Sequence, residues 1–417
     1  MYSYNPVQSD PLNCAGTFPI WKLSTMCQGR PSKLDTLKAA GYRKIDGAPE
    51  PLPLEPPTIT LKDLRAAIPA HCFERSYVKS FYHLFKNLAI CAAIFGVALY
   101  VNKTELPYPV KALAWLVYYF VQGTYFTGIW VVAHECGHQA FSDSEYVNDT
   151  VGIVLHSLLF VPYHAWKITH RRHHSNTGSC ENDEVFVPNT RSTVASSSDH
   201  SLLEDSPLYN LYKITLMLGV GWMPGYLFFN ATGPSKYEGQ AKSHFNPYAA
   251  FILPKERLSI WWSDFCFLVA LYLLVTAIYT YGIGNVWNFY FAPYMVCNAY
   301  LVLITYLQHT DTYVPHFRGD EWNWLRGALC TVDRSFGSWI DSAIHHIADT
   351  HVTHHIFSKM PFYNAAEATK AIVPLLGDYY LKDSTPIPFA LWRSFSNCKF
   401  VEDTGNIVFY KRKIHDK

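Results

Sequence analysis

The sequence predicts an all-α integral membrane protein, with four transmembrane helices arranged as two hairpins and a helical cap gathered on one side of the bilayer. Three observations point there. Four apolar runs reach, or nearly reach, the ~20 residues needed to cross a hydrocarbon core; they cover 84–101, 112–132, 265–281 and 287–307. Within each pair the runs are separated by a short connection, 102–111 in the first and 282–286 in the second. The polar remainder holds three histidine clusters at helical spacing: His134-Glu-Cys-Gly-His138, His170-Arg-Arg-His173-His174 and His351-Val-Thr-His354-His355.

Along the chain, the first 50 residues are polar, dotted with Pro and Gly, and lack the early apolar core of a cleavable signal peptide. Residues 47–57 read as an extended Pro-rich linker, so 1–56 are expected to form an N-terminal extension and linker. Helical signal starts at Thr60-Leu-Lys-Asp63, where Thr60 and Asp63 suit N-terminal capping. The first run has Lys86 near its start, placed to snorkel to the interface. Asn102-Lys-Thr104 is formally a glycosylation sequon, but it sits too close to the bilayer to be used. Trp261, Trp262 and Trp287 stand at span ends, as interfacial aromatics do. The runs near 151–162 and 211–230 are shorter or broken by Pro224 and Gly residues, and read as interfacial or packed helices.

With four spans, the N-terminus, residues 133–264 and everything after 308 share one face. Lys and Arg are frequent there and scarce in the outer loops, which predicts a cytosolic face carrying both termini and all three clusters. Two hairpin-spaced pairs of such length argue against the alternative of buried helices in a soluble protein. One domain is expected over 57–395, followed by a C-terminal tail, 396–417. Its Lys413-Ile-His415-Asp-Lys417 loosely resembles a basic retrieval signal for the endoplasmic reticulum.

Composition narrows the function. A net charge of +1 provides no basic field for nucleic acid, so no such partner is expected. The ten cysteines include no Cys-x-x-Cys pair, which excludes a zinc ribbon and predicts reduced thiols. Cys136, inside the first cluster, is read as a small packing residue.

The clusters carry the chemistry. With 19 histidines in 417 residues, a His-x-x-x-His pair arises about once by chance, whereas His-x-x-His-His arises roughly 0.04 times. Two copies of the triplet are therefore the signal. Residues at i, i+3 and i+4 share a helix face, so eight imidazoles are presented, too many for one tetrahedral ion. Two metals with open positions are the natural accounting. Imidazole alone does not choose among Fe, Zn, Cu and Ni. His309, directly after the fourth run, is a candidate ninth ligand. His345 and His346 are read as outer or surface groups, and His71, His83, His156, His164, His244 and His316 as isolated structural histidines. Two other readings stay open on the residues alone. His134-Glu135-x-x-His138 matches a membrane zinc metalloprotease, with Glu135 as general base, but leaves both triplets unexplained. A His-rich metal transporter would need its ligands inside the spans, where these are not.

At these residues the chain resembles the membrane fatty acid desaturase family, in its microsomal-type acyl-lipid delta-12 (oleate)/omega-3 branch. The likeness runs from Pro57 to Arg393. It is carried by the stretch from Thr60 to Ser76, by Ala133-His-Glu-Cys-Gly-His-Gln-Ala-Phe141, by Trp166 to Gly178, and by Asp349-Thr-His-Val-Thr-His-His-Ile-Phe357. The resemblance implies a desaturase domain over 57–395 with a non-haem di-iron centre, held by His134, His138, His170, His173, His174, His351, His354 and His355, with His309 as the extra histidine. Acyl-CoA relatives have an Asn near the position of Thr305. The implied reaction is the O₂-dependent introduction of a cis double bond. A mid-chain methylene has no useful acidity, so an iron-based oxidant is required. O₂ takes up four electrons, two from substrate and two from a donor. No fused haem-binding His-Pro-Gly-Gly segment is present, so separate cytochrome b5 and its reductase are implied as partners. Glu135 in the first cluster resembles the delta-12 enzymes, which convert oleoyl to linoleoyl chains carried on phospholipid. An omega-3 or bifunctional specificity, or a hydroxylase or acetylenase of the same family, are the alternatives. The branch resides in the endoplasmic reticulum membrane.

Overall fold

The computed structural model describes residues 33–185, 187–196 and 206–412; the first 32 residues and the retrieval-like tail 413–417 lie outside them. Helix α1 (Lys33–Ala39) and α2 (Leu61–Ala67) precede the first long helix. As predicted, Thr60 Oγ1 accepts from the Asp63 N–H at 3.2 Å, and the Asp63 carboxylate accepts from the Thr60 N–H at 2.9 Å. The Pro-rich stretch between them has no helix or strand, as its composition implies. It is nevertheless no free tether. Leu52 and Leu54 are buried in one cluster with Tyr42, Tyr313, Phe317 and Phe409. Nearby, β1 (His316–Phe317) pairs antiparallel with β2 (Ile407–Val408), which ties the chain's last described residues to the body.

Four stretches are long and apolar enough to cross a membrane: Tyr77–Lys103, Tyr108–Gly137, Pro254–Tyr281 and Ile283–Leu307. They comprise α3 (Tyr77–Lys103), α4 (Tyr108–Gly137), and, after α5 (Glu145–Leu158), α6 (Tyr163–Asn176), α7 (Arg191–Ser196) and α8 (Pro207–Val220), helices α9 (Arg257–Tyr281), α10 (Ile283–Val286) and α11 (Ala292–Leu307). Each stretch is longer than its apolar run, because the helix continues into polar turns, such as Lys79 to Lys86 and Ala133 to Gly137, that hydropathy does not mark. The connections shrink accordingly. Residues 104–107 join α3 to α4, and Gly282 at φ +82° joins α9 to α10, a left-handed conformation that glycine adopts without strain.

Burial separates these helices into two kinds. In the α4 and α10–α11 stretches 61 % of the apolar window is buried, against 22 % for α3 and 17 % for α9. Helices α4 and α11 pack on each other, while α9 leaves Leu268, Tyr272 and Leu273 exposed. Exposed apolar rows of this kind match a lipid environment.

The run near 151–162 ends α5, which meets α6 at a 108° bend. The run near 211–230 is α8 followed by an irregular turn at Gly221–Tyr226, where Met223 leaves helical geometry beside Pro224. The last third adds α12 (Trp324–Ala328), α13 (Ser338–Ala343), α14 (His351–Ile356), α15 (Phe362–Leu376) and α16 (Ile387–Asn397). All eight described cysteines are free, and Cys136 is buried in the main core.

Candidate metal centre

Four chain segments converge. The last turn of α4 and the residue after it supply His134 and His138, and α6 supplies His170, His173 and His174. His309 follows α11 by two residues, and α14 supplies His351, His354 and His355. They form two groups. The ligand atoms of His134, His138, His170, His174 and His354 lie within 4.8 Å of one another, as do those of His173, His309 and His355. His351 joins the second group, with its Nε2 3.0 Å from that of His309.

The separations are those of nitrogens sharing an ion. His134 Nε2 lies 3.2 Å from His138 Nε2 and 2.8 Å from His170 Nε2, and His170 Nε2 lies 3.2 Å from His174 Nε2. In the second group His173 Nε2 and His309 Nε2 are 3.3 Å apart. Two nitrogens bonded at roughly 2.1 Å to one metal stand about 3.0 Å apart at a right angle and about 3.4 Å at a tetrahedral angle. A neutral imidazole has one N–H to give, so hydrogen bonds cannot account for a ring facing two others at once. His354 Nε2 and His355 Nε2 are buried with no hydrogen-bond partner. Imidazoles gathered in two groups, with buried nitrogens of His354 and His355 left orphaned, fit transition-metal ions and not a hard, oxygen-seeking cation.

Electrostatics keeps the nitrogens available. Burial drives His170, His174, His309, His354 and His355 well below the ordinary histidine range, assisted by mutual repulsion among the rings. Burial takes His351 down to about 3. These groups are neutral at physiological pH, the state that binds metal.

Neighbours then select the tautomer. His173 Nδ1–H donates to Asp183 Oδ1 at 2.6 Å, and the N–H groups of Glu184 (2.7 Å) and Val185 (3.1 Å) hold that oxygen. His351 Nδ1–H donates to the Ile347 carbonyl at 3.0 Å. The Thr177 hydroxyl is spent on the His173 carbonyl at 2.7 Å, so its oxygen accepts from His355 Nδ1–H at 3.2 Å. In each case Nε2 is left facing the group.

Packing sets the rings. Trp166 stacks on His170 at 4.7 Å and Trp130 on His134 at 5.5 Å. Gly137 is demanded by this arrangement, since a Cβ there would stand 2.7 Å from the Trp166 ring. A buried ion network anchors the other side. Arg334 donates through Nε to the Leu307 carbonyl at 2.9 Å and through Nη2 to Asp311 at 2.7 Å, and it also pairs with Asp383. Its neighbour Asp333 accepts from the Val352 N–H at 2.8 Å. Two consecutive residues thus tie the His309 segment to the start of α14.

Sequence reasoning did not single out Asp183, Thr177 or the Asp333–Arg334 tie as parts of the site. Their partnerships run through loops with no periodic pattern, although Asp183 does lie close behind the second cluster. The remaining histidines stand apart from both groups. His345 meets Asn87 at 3.3 Å, His346 pairs with Asp349 at 3.0 Å, and His71 pairs with Glu367 at the surface at 3.0 Å. His83, His156, His164, His244 and His316 belong to neither group. The Thr305 hydroxyl is engaged by its own helix, on the carbonyls of Leu301 and Val302. Glu135 is buried and accepts from the Phe362 N–H at 3.1 Å, which suits a structural anchor better than a protease's general base.

A sequence-family profile described as "Fatty acid desaturase" matches residues 111–386, more than half of the chain. The Delta(12) fatty acid desaturase of Mortierella isabellina is 46 % identical over 369 residues, covering 85 % of this chain and 91 % of that protein. The Delta(12)-fatty-acid desaturase of Arabidopsis thaliana is 45 % identical over 368 residues, 87 % of this chain and 94 % of that protein. A protein of Brassica juncea named "Omega-6 fatty acid desaturase, endoplasmic reticulum" is 44 % identical over 368 residues, with the same coverage.

Proposed function

The chain belongs to the fatty acid desaturase family, and on that premise we propose that it is a delta-12 acyl-lipid desaturase of the endoplasmic reticulum membrane, converting oleoyl to linoleoyl chains with O₂. The observation that carries the chemistry is the convergence of nine imidazoles, eight buried and His170 partly so, into two groups. The position of the double bond rests on the identity to relatives named Delta(12) desaturases.

The ligand set proposed for two irons is His134, His138, His170, His174 and His354 for one ion, and His173, His309, His351 and His355 for the other. Bound there, the irons supply what no side chain can, an O₂-driven oxidation strong enough to take hydrogen from two unactivated methylenes. The chain's own residues do the rest. Nδ1 contacts to Asp183, Ile347 and Thr177 orient the rings. Trp130 and Trp166 wall the first group with apolar surface, with Trp222 packed behind Trp130, which keeps water from the oxidising centre. Glu135 and Phe362 link α4 to α15 beside it.

In this reading the four spans form two hairpins, the domain extends over 57–395, and the His-bearing segments form a cytosolic cap with both termini. The cap faces cytochrome b5 and its reductase, which deliver two electrons per turnover, the substrate giving the other two. Phospholipid is the acyl carrier.

Expression in a yeast whose own lipids stop at one double bond, followed by fatty-acid analysis, tests the reading. New linoleate supports it. Conversion of supplied linoleate to a triene without new linoleate replaces it with an omega-3 specificity, and hydroxy-fatty acid overturns desaturation.

A further inference from the structure

Beside the metal centre lies a pocket of about 280 Å³, whose walls include His83 and Lys86 of α3, Tyr125 of α4, and His345, His346 and Phe362. A much smaller cavity shares His345 and Phe362 with it and carries Glu135 and His354 on its far side. The His345 and Phe362 rings, 4.5 Å apart, therefore form the partition between the pocket and a histidine of the first group. Tyr125 and Glu135 lie on one helix, ten residues or roughly 15 Å apart. That is comparable to the reach from the ester to the middle of an extended oleoyl chain.

The pocket mixes apolar and polar walls and carries a lysine where a span begins. Lys79, His83 and Lys86 recur at i, i+4 and i+7 near the start of α3, on one face. Lys79 Nζ stands 5.6 Å over the Tyr363 ring, and His83 stacks on the same ring at 5.6 Å. Lys86 is exposed, and no carboxylate of the described residues pairs with it. The opposite wall is a turn held open by strain. His345 and His346 are successive non-glycine residues at φ +57° and +60°, a conformation proteins keep chiefly where surrounding structure enforces it at functional sites. Asn87 fixes His345, and Asp349 neutralises His346, which leaves the lysines as the unanswered charge. The head of a span is the depth at which lipid phosphates lie.

We propose that this pocket receives the phosphodiester of the membrane lipid that carries the acyl chain, with Lys86 as its principal cation, and that the chain runs from there past Phe362 and His345 toward His354. Lys79 adds a second cation on the same helix face, and His83 between the two lysines adds a hydrogen-bonding ring. The ester is thus anchored at a fixed distance from the metal centre, and that distance sets which methylenes reach it. The proposal rests on the desaturase reading.

The test is lipid binding by the purified full-length protein, read beside its wild-type activity. The probes are a dioleoyl phosphatidylcholine, dioleoylglycerol as the phosphate-free match, and oleoyl-CoA. Lys86→Ala is expected to weaken phosphatidylcholine binding by about tenfold, the worth of one charge-assisted hydrogen bond, with dioleoylglycerol binding unchanged. Lys86→Arg is expected to retain it. In reconstituted bilayers the same loss should appear in KM and not in kcat. Equal effects on phosphatidylcholine and dioleoylglycerol, or none, overturn the proposal while leaving the desaturase reading intact. A Lys86 dependence confined to oleoyl-CoA overturns the assignment to a lipid phosphodiester. Wild-type protein that binds these lipids normally and forms no linoleate counts against the desaturase reading instead.

Discussion

His173 Nδ1 and Asp183 Oδ1 are 2.6 Å apart, both buried, in a pairing that points the opposite nitrogen of the ring at His309. The carboxylate holds the proton on Nδ1 and makes Nε2 a stronger donor to metal. Asp183→Asn keeps the shape and removes the charge. It is expected to lower desaturation by about 10- to 100-fold, with reduced iron content and normal membrane insertion. Full iron and full activity in the variant would remove Asp183 from the site.

His309 and Thr305 make a paired test on one helix end. His309→Ala removes a nitrogen from the second group and is expected to lower bound iron from about two per chain toward one, because partial ligand sets lose affinity. Thr305→Ala breaks only a bond within its own helix and should leave both iron and product unchanged. Metal analysis of the two purified variants decides.

Arg334 is fully buried between Asp311 and Asp383. Arg334→Ala removes one of the two cations that face Asp311 and Asp383, the other being Arg393, so the loss should stay below the roughly 3–5 kcal/mol of a buried charge left wholly uncompensated. Thermal unfolding should show a clear drop. Because Arg334 also binds the Leu307 carbonyl, the second iron should be lost before the first.

Gly137→Val places a side chain against the Trp166 ring, already 2.7 Å from a hypothetical Cβ. Overpacking of this kind costs roughly 1–3 kcal/mol. The displaced ring no longer stacks on His170, so iron binding should fall more than helix content by circular dichroism.

Metal-free protein should lose stability on acidification. Burial lowers His170, His174, His309, His354 and His355 in the folded state, and His351 to about 3, whereas the unfolded chain protonates them near the ordinary value of 6.5. Their contribution is therefore complete above about pH 6.5 and declines below it, by about 1.4 kcal/mol per pH unit for each proton bound only when unfolded. A melting temperature that rises between pH 7 and pH 5 without metal would refute this sign.

Much of this was readable from periodicity. The apolar runs located the four helices long and apolar enough to span a membrane, because lipid requires an uninterrupted apolar length, and the Thr60–Asp63 capping box was legible because capping is local. The helices run several residues beyond the apolar runs, since α3 starts at Tyr77 and α9 at Arg257, ahead of them. The stretch around Leu52 and Leu54 read as a linker by composition, yet its leucines fill a hydrophobic cluster formed with residues from the far end of the chain.

The sequence by itself determined the eight box histidines and His309 as a candidate set, because helical spacing places such residues on one face whatever surrounds them. The pairing belonged to the tertiary structure. It divided the second cluster, sending His170 and His174 to one group and His173 to the other, and it divided the third in the same way. It also supplied Asp183, Thr177 and the Arg334 network, and it set the strained turn at His345 and His346 across from Lys86. Spacing along one helix specifies a face, whereas a ligand's partner on another helix depends on crossing and packing between segments far apart in the chain.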